Sequence, residues 1–381
     1  MKTLIRITTI PNSLGGLLKG QLQFMTQHYR VLGVADPGLD NKLQQVGQQE
    51  GVATIPVPMT RKITPLKDLK AVYQLYKLFK KEQPFIVHSH TPKAGTLGMI
   101  AAKLAGVPHR LHTIAGLPLV EATGNKRRLL NLVEKITYAC ATKIYPNAYG
   151  LVAIILENKF THKGKLKVLA SGSSNGIDTN HFDPALYTNA TKQATRAQLN
   201  IQDDDVVYVF VGRMVADKGV NELVTAFNRL QGLHSNTKLL LVGDYETALD
   251  PLLPETLDII NTNPHIISTG WVNDVRPYFA IANILTFPSY REGFPNVVMQ
   301  AGAMGLPAIV TNINGCNEII IEGENGTIIP VKDSTLLYEK MKAFYIRPNQ
   351  YTTAKCRQLI VDRYQRQKVW DAILEEYQQL T

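Results

Sequence analysis

Short β-branched runs alternate with amphipathic stretches along the whole chain, and this alternation constrains its fold more than any other feature of the sequence. Candidate strands fall at residues 4–9, 29–34, 54–57, 85–88, 110–113, 143–146 and 166–169. Most are too short and too apolar for hairpins with one face in water. Between them lie helical patterns. The clearest sets Leu66, Leu69, Val72, Tyr73, Tyr76 and Phe79 at three- and four-residue spacing, with Lys67, Lys70, Lys77 and Lys81 on the other side. Strand, helix, strand in that order predicts a parallel sheet covered by helices on both faces.

The scheme starts again after Asp203-Asp204-Asp205, with strands expected at 206–211, 238–242, 284–287 and 308–311 and a helix over 220–230. A chain of 381 residues exceeds one core. Two α/β, doubly wound domains are therefore expected, residues 1–182 and 183–363, with the joint in the polar stretch 180–205. A final helix from about residue 364 to 381 carries Tyr364, Val369, Trp370, Ile373, Leu374 and Tyr377 on one face and is expected to cross back onto the first domain. In such sheets ligands collect beyond the carboxyl ends of the strands. Two sheets facing across a cleft would bind two substrates.

Three widely spaced cysteines, Cys140, Cys316 and Cys356, exclude a disulfide framework and a four-cysteine zinc ribbon and point to a reduced, cytosolic compartment. Arg6 interrupts the first apolar run, so no secretory signal is expected, and no stretch is apolar for the roughly 18 residues that a membrane span needs. The net charge of +10 hides an asymmetry: residues 1–180 hold 24 Lys and Arg against 9 Asp and Glu, and residues 181–381 hold 17 against 22. A first half at +15 needs an anionic partner: nucleic acid, phosphorylated small molecules, or an anionic membrane surface.

Two loops carry residues suited to chemistry. Gly212-Arg213-Met214-Val215-Ala216-Asp217-Lys218-Gly219 joins a strand to a helix; glycine admits a close ligand, Arg213 is a forked cation, Lys218 a point charge, and the helix start adds its dipole. Together they suit a diphosphate, although basic loop residues are also common as plain surface. The second runs from Phe287 through Glu292 and Gly293 to a helix beginning near Asn296, with Gln300 one turn in. A third, Asn314-Gly315-Cys316-Asn317-Glu318, leaves the same edge.

The set Gly-Arg-x4-Lys-Gly, Pro-Ser-x2-Glu-Gly-Phe-Pro, Ala-x-Gly-Leu-Pro-x-Ile and Gly-x2-Glu resembles the retaining nucleotide-sugar glycosyltransferases of family 4, which have the two-domain GT-B fold. In the first half, Arg61-x-Ile63-x-Pro65-x-Lys67-Asp68-Leu69, His88-Ser-His-Thr-Pro-Lys-Ala-Gly95 and His112-Thr-Ile-Ala-Gly116 are similar to bacterial enzymes that extend polyprenyl-diphosphate-linked glycans and capsule repeats. The resemblance implies that Arg213 and Lys218 grip the donor diphosphate and that Glu292 sits beside the donor sugar, at the first acidic position of a Glu-x7-Glu motif. The second falls on Gln300, whose amide oxygen can still accept a ribose hydroxyl without negative charge. Gly293, Phe294, Pro295 and Asn296 match the segment along the donor sugar and phosphates. Trp271 and Val272, after Gly270, match the loop that approaches the nucleobase, above Gly243. Ser13, Gly15 and Gly16 correspond to the glycine-rich loop after the first strand, and His112 matches the active-site histidine, read at a strand end.

The resemblance implies transfer of a hexose or N-acetylhexosamine from a nucleotide diphosphosugar, expected to be UDP-linked, to a glycan or polyprenyl-diphosphate-linked acceptor in surface polysaccharide synthesis. No cofactor and no metal are expected. Asp203-Asp204-Asp205 precedes its strand, on the wrong edge of the sheet, and reads as a solvated turn. Retention implies front-side attack by the acceptor hydroxyl, helped by the donor phosphate. Lys126, Arg127 and Arg128 open an amphipathic segment after a loop at 119–125, fit for an anionic leaflet, which would place the protein peripherally on the inner face of the cell membrane. The bland alternative packs Leu129, Leu132 and Val133 inward. A nucleotide-sugar 2-epimerase on the same scaffold is the nearest rival. A dinucleotide oxidoreductase lacks its Gly-x-Gly-x-x-Gly after the first strand, and a nucleic-acid-binding role lacks aromatics interleaved with the basic residues.

Overall fold

The computed structural model describes all residues except 118, 120, 121 and 247–249. The chain forms two compact units, residues 1–176 with 366–381, and residues 177–365. These divisions fall a few residues from the expected 182/183 and 363/364.

The first unit holds a six-stranded parallel sheet of β1 (Thr3–Ile7), β2 (Arg30–Ala35), β3 (Ala53–Pro56), β4 (Ile86–Ser89), β5 (His109–Ile114) and β6 (Lys143–Pro146), in the order β3-β2-β1-β4-β5-β6. The second repeats it with β7 (Val206–Val211), β8 (Thr237–Val242), β9 (Ile266–Ser268), β10 (Ile284–Phe287), β11 (Ala308–Thr311) and β12 (Gly326–Ile329), in the order β12-β11-β10-β7-β8-β9. All the pairings of these strands are parallel. Each sheet is one apolar layer: Leu4, Ile5, Ile86 and Leu111 in the first, and Val207, Val209, Leu240 and Leu285 in the second, are fully buried. Burial of both faces is what makes these strands read as continuous apolar runs.

Four expectations change. Residues 166–169 are not a strand; Leu166 makes only an isolated bridge to Ile144. No strand was expected at β9 or β12, which are three and four residues long. The last stretch is two helices, Thr353–Tyr364 and Arg366–Gln378, broken at Gln365, whose ψ of 132° is extended. Tyr364 therefore belongs to the core of the second unit, while Val369, Ile373 and Tyr377 fill the core of the first beside Leu4 and Ile86.

The fourth change concerns the Pro65–Glu82 helix. Its buried stripe is Ala71, Leu75 and Phe79, and Leu66, Leu69 and Tyr73 of the expected apolar face point into solvent. A helix rich in apolar residues offers two stripes at 3.6-residue spacing, and only tertiary packing, here against the Pro92–Ala105 helix, selects one.

Candidate functional site

In the second sheet β7 and β10 are neighbours at the point where the strand order reverses, the place beyond the strand ends where open α/β sheets take up ligands. Those two loops are tied together. Lys218 from the first and Glu292 from the second form an ion pair of 2.5 Å, both side chains mostly shielded from water. One residue earlier in each loop, Asp217 and Arg291 pair at 2.7 Å. The Tyr290 N–H donates to the Asp217 carbonyl at 2.8 Å, and the Ser289 hydroxyl lies 3.2 Å from Glu292 Oε1. Gly219 completes the join: its φ is +70°, and a Cβ there would sit 2.1 Å from the Pro288 carbonyl oxygen, so no side chain fits.

Arg213 leaves the same turn toward solvent and pairs with Glu246, whose hydrogen bond raises the guanidinium pKa. Both expected phosphate-gripping cations are thus brought to one strand edge, each already balanced by a carboxylate. Beneath them, the Gly212 N–H donates to Val242 at 2.9 Å and the Gly243 N–H to Gly270 at 3.0 Å. A Cβ on Gly243 would collide with the Gly212 carbonyl, so these strand ends pack backbone to backbone. Asp244 accepts the Trp271 N–H at 3.0 Å, which holds that loop while the indole stays 66% exposed; Val272 is half-buried against the core.

Pro295 caps the helix Asn296–Ala303, whose first amides have no intrahelical acceptor. The third loop closes on this segment, because Gly315 lies against Gly293, Phe294 and Pro295, where an added Cβ would come within 2.9 Å of the Gly293 oxygen. The Phe294 ring packs edge-on against Tyr364 at 5.5 Å. Gln300 is half-buried, and its side-chain amide has no partner among the described residues. Asp205 accepts the Gln202 N–H in a turn at the amino end of β7, away from these loops.

In the first unit, Gly15 and Gly16 do not form a loop. They lie in the helix Pro11–Leu17, started by Pro11 in the first turn. Gly15 admits Val46, whose methyl would be 3.0 Å from an added Cβ, and Gly16 is exposed. His112 lies inside β5 rather than at its end. It is buried, with Nδ1 2.9 Å from the Ser89 hydroxyl, and burial brings its pKa down to about 4. The ring is seated against Gly95, where a Cβ would come 2.3 Å from Cε1. It borders a cavity of about 10 Å³ with Pro92, Gly116 and Glu134, room for roughly one water.

Sequence reasoning missed a buried polar network beside this strand. Arg6 is fully buried, donates from Nε to His90 Nε2 at 2.9 Å and pairs with Gln21, and no carboxylate touches it among the described residues. His88 bonds Tyr377 through Nδ1 and Thr113 through Nε2, the latter at 2.7 Å. Burial first, then neighbouring charge, holds His88 and His90 well below the ordinary histidine range. The available signal was Arg6 itself, a cation inside an otherwise apolar strand.

The helix Gly124–Cys140 opens with Lys126, Arg127 and Arg128. Of the loop expected before it, Val120 and Glu121 lie outside the described residues. Lys126 and Arg128 face solvent, whereas Arg127 turns back to hold the Leu119 carbonyl and the Asn158 side chain. Leu129 and Leu132 are exposed, against the inward packing that the bland reading expected. Among the described residues no group of three His, Cys, Asp or Glu could hold a metal ion, and no helix is long and apolar enough to cross a membrane.

Residues 205–346 match the family described as glycosyl transferases group 1, and residues 23–156 match glycosyl transferase 4-like. The chain is 32% identical to the capsular polysaccharide biosynthesis glycosyltransferase CapM of Staphylococcus aureus, over 98% of this chain and 96% of that one. It is 29% identical, over 84% and 81%, to the Escherichia coli UDP-Gal:alpha-D-GlcNAc-diphosphoundecaprenol alpha-1,3-galactosyltransferase. Among solved structures, Anabaena HepE in complex with UDP matches with a TM-score of 0.81 over all of both chains at 16% identity, a likeness of fold.

Proposed function

We propose a particular transfer reaction on one premise: the chain belongs to the group 1, family 4-like glycosyltransferases and has their GT-B fold. It moves a hexose or N-acetylhexosamine from a UDP-sugar to a polyprenyl-diphosphate-linked glycan, with retention and without metal. The observation that carries this reading is the joining of Lys218 and Glu292 at the β7–β10 switch point, with Arg213 on the same turn.

Breaking the anomeric C–O bond leaves negative charge on the diphosphate and a cation-like sugar. Arg213, Lys218 and the unpaired amides before Val298 suit the first; the Glu292 carboxylate suits the second. On binding, the diphosphate takes over Lys218 and frees Glu292 for the sugar hydroxyls. Gln300 meets the ribose, and Trp271 and Val272 flank the base. The acceptor oxygen forms its bond on the face the phosphate leaves, and its proton passes to the departing phosphate oxygen, so no protein nucleophile is needed. His112, neutral at physiological pH, serves as a hydrogen-bonding group toward a sugar hydroxyl. Lys126 and Arg128 favour an anionic cytoplasmic leaflet, where a lipid-linked acceptor resides.

The test is incubation with UDP-sugars, with and without a polyprenyl-diphosphate-linked GlcNAc acceptor. The expected outcome is acceptor-dependent UDP release, an α-linked product from an α-donor, and no effect of chelator. UDP release without acceptor, as an epimerase gives, overturns transfer, and a β-linked product overturns retention.

A further inference from the structure

Glu134 is buried and plays no part in the proposed transfer. It lies in the helix Gly124–Cys140 and is 8% exposed, and no cation pairs with it among the described residues. Burial pushes its carboxyl pKa up, against the pull of the neighbouring Tyr138 hydroxyl. A carboxyl in such a place costs stability unless a polar group meets it. The helix is pinned where it stands: the Thr137 and Thr96 hydroxyls meet at 3.0 Å, which fixes it to the Pro92–Ala105 helix, and Gly95 of that second helix seats the His112 ring. Tyr138, one turn beyond Glu134, brings its ring to 6.4 Å from the same imidazole.

His112 and Glu134 line the same cavity of about 10 Å³, near the carboxyl end of β5, and Glu134 is the only carboxylate among its described lining residues. Thr113 also lines it, but its hydroxyl is engaged by His88 at 2.7 Å. The imidazole offers one nitrogen. Ser89 donates its hydroxyl proton to the Leu111 carbonyl at 3.4 Å and accepts from Nδ1 at 2.9 Å, so Nε2 keeps its lone pair. The side chains thus present one acceptor and one carboxyl, in a space that admits a single oxygen atom with its hydrogen. Pro92, Ala115 and Gly116 of the lining are accessible, and the last two follow β5 at the edge of the sheet where ligands collect.

We propose that Glu134 is a specificity-determining residue, which together with His112 holds a single sugar hydroxyl in this cavity. The proposal rests on the sugar transfer inferred above and adds the residue that completes the His112 contact and the group it selects. The hydroxyl donates to Nε2 and accepts the carboxyl proton of Glu134, so one group that both donates and accepts satisfies both side chains. A hydrogen in place of that hydroxyl leaves them unpaired, and a methoxy or acetamido group exceeds the space. The sugar position read here therefore carries a free hydroxyl.

The test is transfer by the full chain from UDP-glucose, UDP-galactose or UDP-GlcNAc to a polyprenyl-diphosphate-linked GlcNAc acceptor, with donor and acceptor also supplied as monodeoxy and mono-O-methyl forms. At one position the deoxy form should lose about 10- to 100-fold in kcat/KM, and the O-methyl form more. Glu134→Ala opens the cavity, so the kcat/KM ratio of that O-methyl form to the parent should rise by about tenfold or more. A ratio taken within one protein is untouched by any loss of folded enzyme. Glu134→Gln, which keeps a donor, should retain the hydroxyl preference. If no position shows such a rise in Glu134→Ala, the proposal is overturned and Glu134 is a packing residue. The imidazole nitrogen NMR spectrum of the full chain is recorded on the same proteins without substrate, with His112 identified from His112→Asn. Its Nε2 signal should move in Glu134→Gln, and a signal that stays in place puts the carboxyl out of reach and also overturns the proposal. Where wild type transfers no sugar, the functional reading fails alone, and a responding Nε2 signal still supports the pairing of Glu134 with His112.

Discussion

Lys218 and Glu292 lie 74 positions apart in sequence and 2.5 Å apart in space, and each is the other's counterion. Removing one leaves a shielded charge uncompensated. Lys218→Ala should lower kcat/KM by about 100-fold or more, the scale of losing one donor to developing charge. Glu292→Gln should lower kcat more than it raises the donor KM. Steady-state kinetics check both, and unchanged turnover in either variant refutes the assignment.

Glu246 competes with the donor for Arg213. The pair is half-exposed, so its worth is about 1 kcal/mol or less. Glu246→Gln should tighten UDP binding by up to about fivefold, and Arg213→Ala should weaken it. Isothermal titration distinguishes the two directions.

Gln300 presents an amide where a carboxylate is expected by resemblance. A hydrogen bond to a charged acceptor is about twice as strong as a neutral one. Gln300→Glu should therefore lower the donor KM several-fold, and the gain should vanish with a 2′,3′-dideoxy nucleotide competitor in a displacement assay.

Stability should fall in acid. His88, His90 and His112 are buried neutral, with folded pKa values lowered, for His112 to about 4. The unfolded chain binds protons below about pH 6.5 while the folded one does not, so stability is full above that pH and is lost as pH falls. Each histidine contributes roughly 1 kcal/mol per pH unit between about pH 6 and its folded pKa. Urea midpoints at pH 7.5 and 5.5 measure the loss, and His88→Asn should flatten the slope.

Gly95 exists for His112. Gly95→Ala puts a methyl into the imidazole, and overpacking of this kind costs about 1–3 kcal/mol. A lowered thermal midpoint together with a changed pH–rate profile is expected; a lowered midpoint alone would reduce His112 to packing.

Much of this architecture was legible beforehand, because local chemistry dictates it. Strands Val206–Val211, Ile284–Phe287 and Ala308–Thr311 are apolar runs closed by Gly212, Pro288 and a polar loop, and they stand where the pattern put them. The Asn296–Ala303 helix begins after Pro295, as expected. Arg213 and Lys218 stand out in one loop and Glu292 in another, and the family resemblance joins them into a set. That both cations are paired, with Glu246 and Glu292, depends on strand order, which no local pattern contains.

The amino-acid sequence by itself determined the alternation of strand and helix, the two parallel sheets and the loops that hold the charged residues, since these arise from periodicity and from glycine and proline. Tertiary structure alone decided which side of an amphipathic helix is inside. In Pro65–Glu82 the rows Ala71-Leu75-Phe79 and Leu66-Leu69-Tyr73 both repeat at helical spacing, and the fold buried the first, in a helix that packs against Pro92–Ala105. It also joined Arg6 and His90, 84 residues apart, into one buried network. Periodicity describes a helix relative to its own axis, and burial depends on what stands beside it.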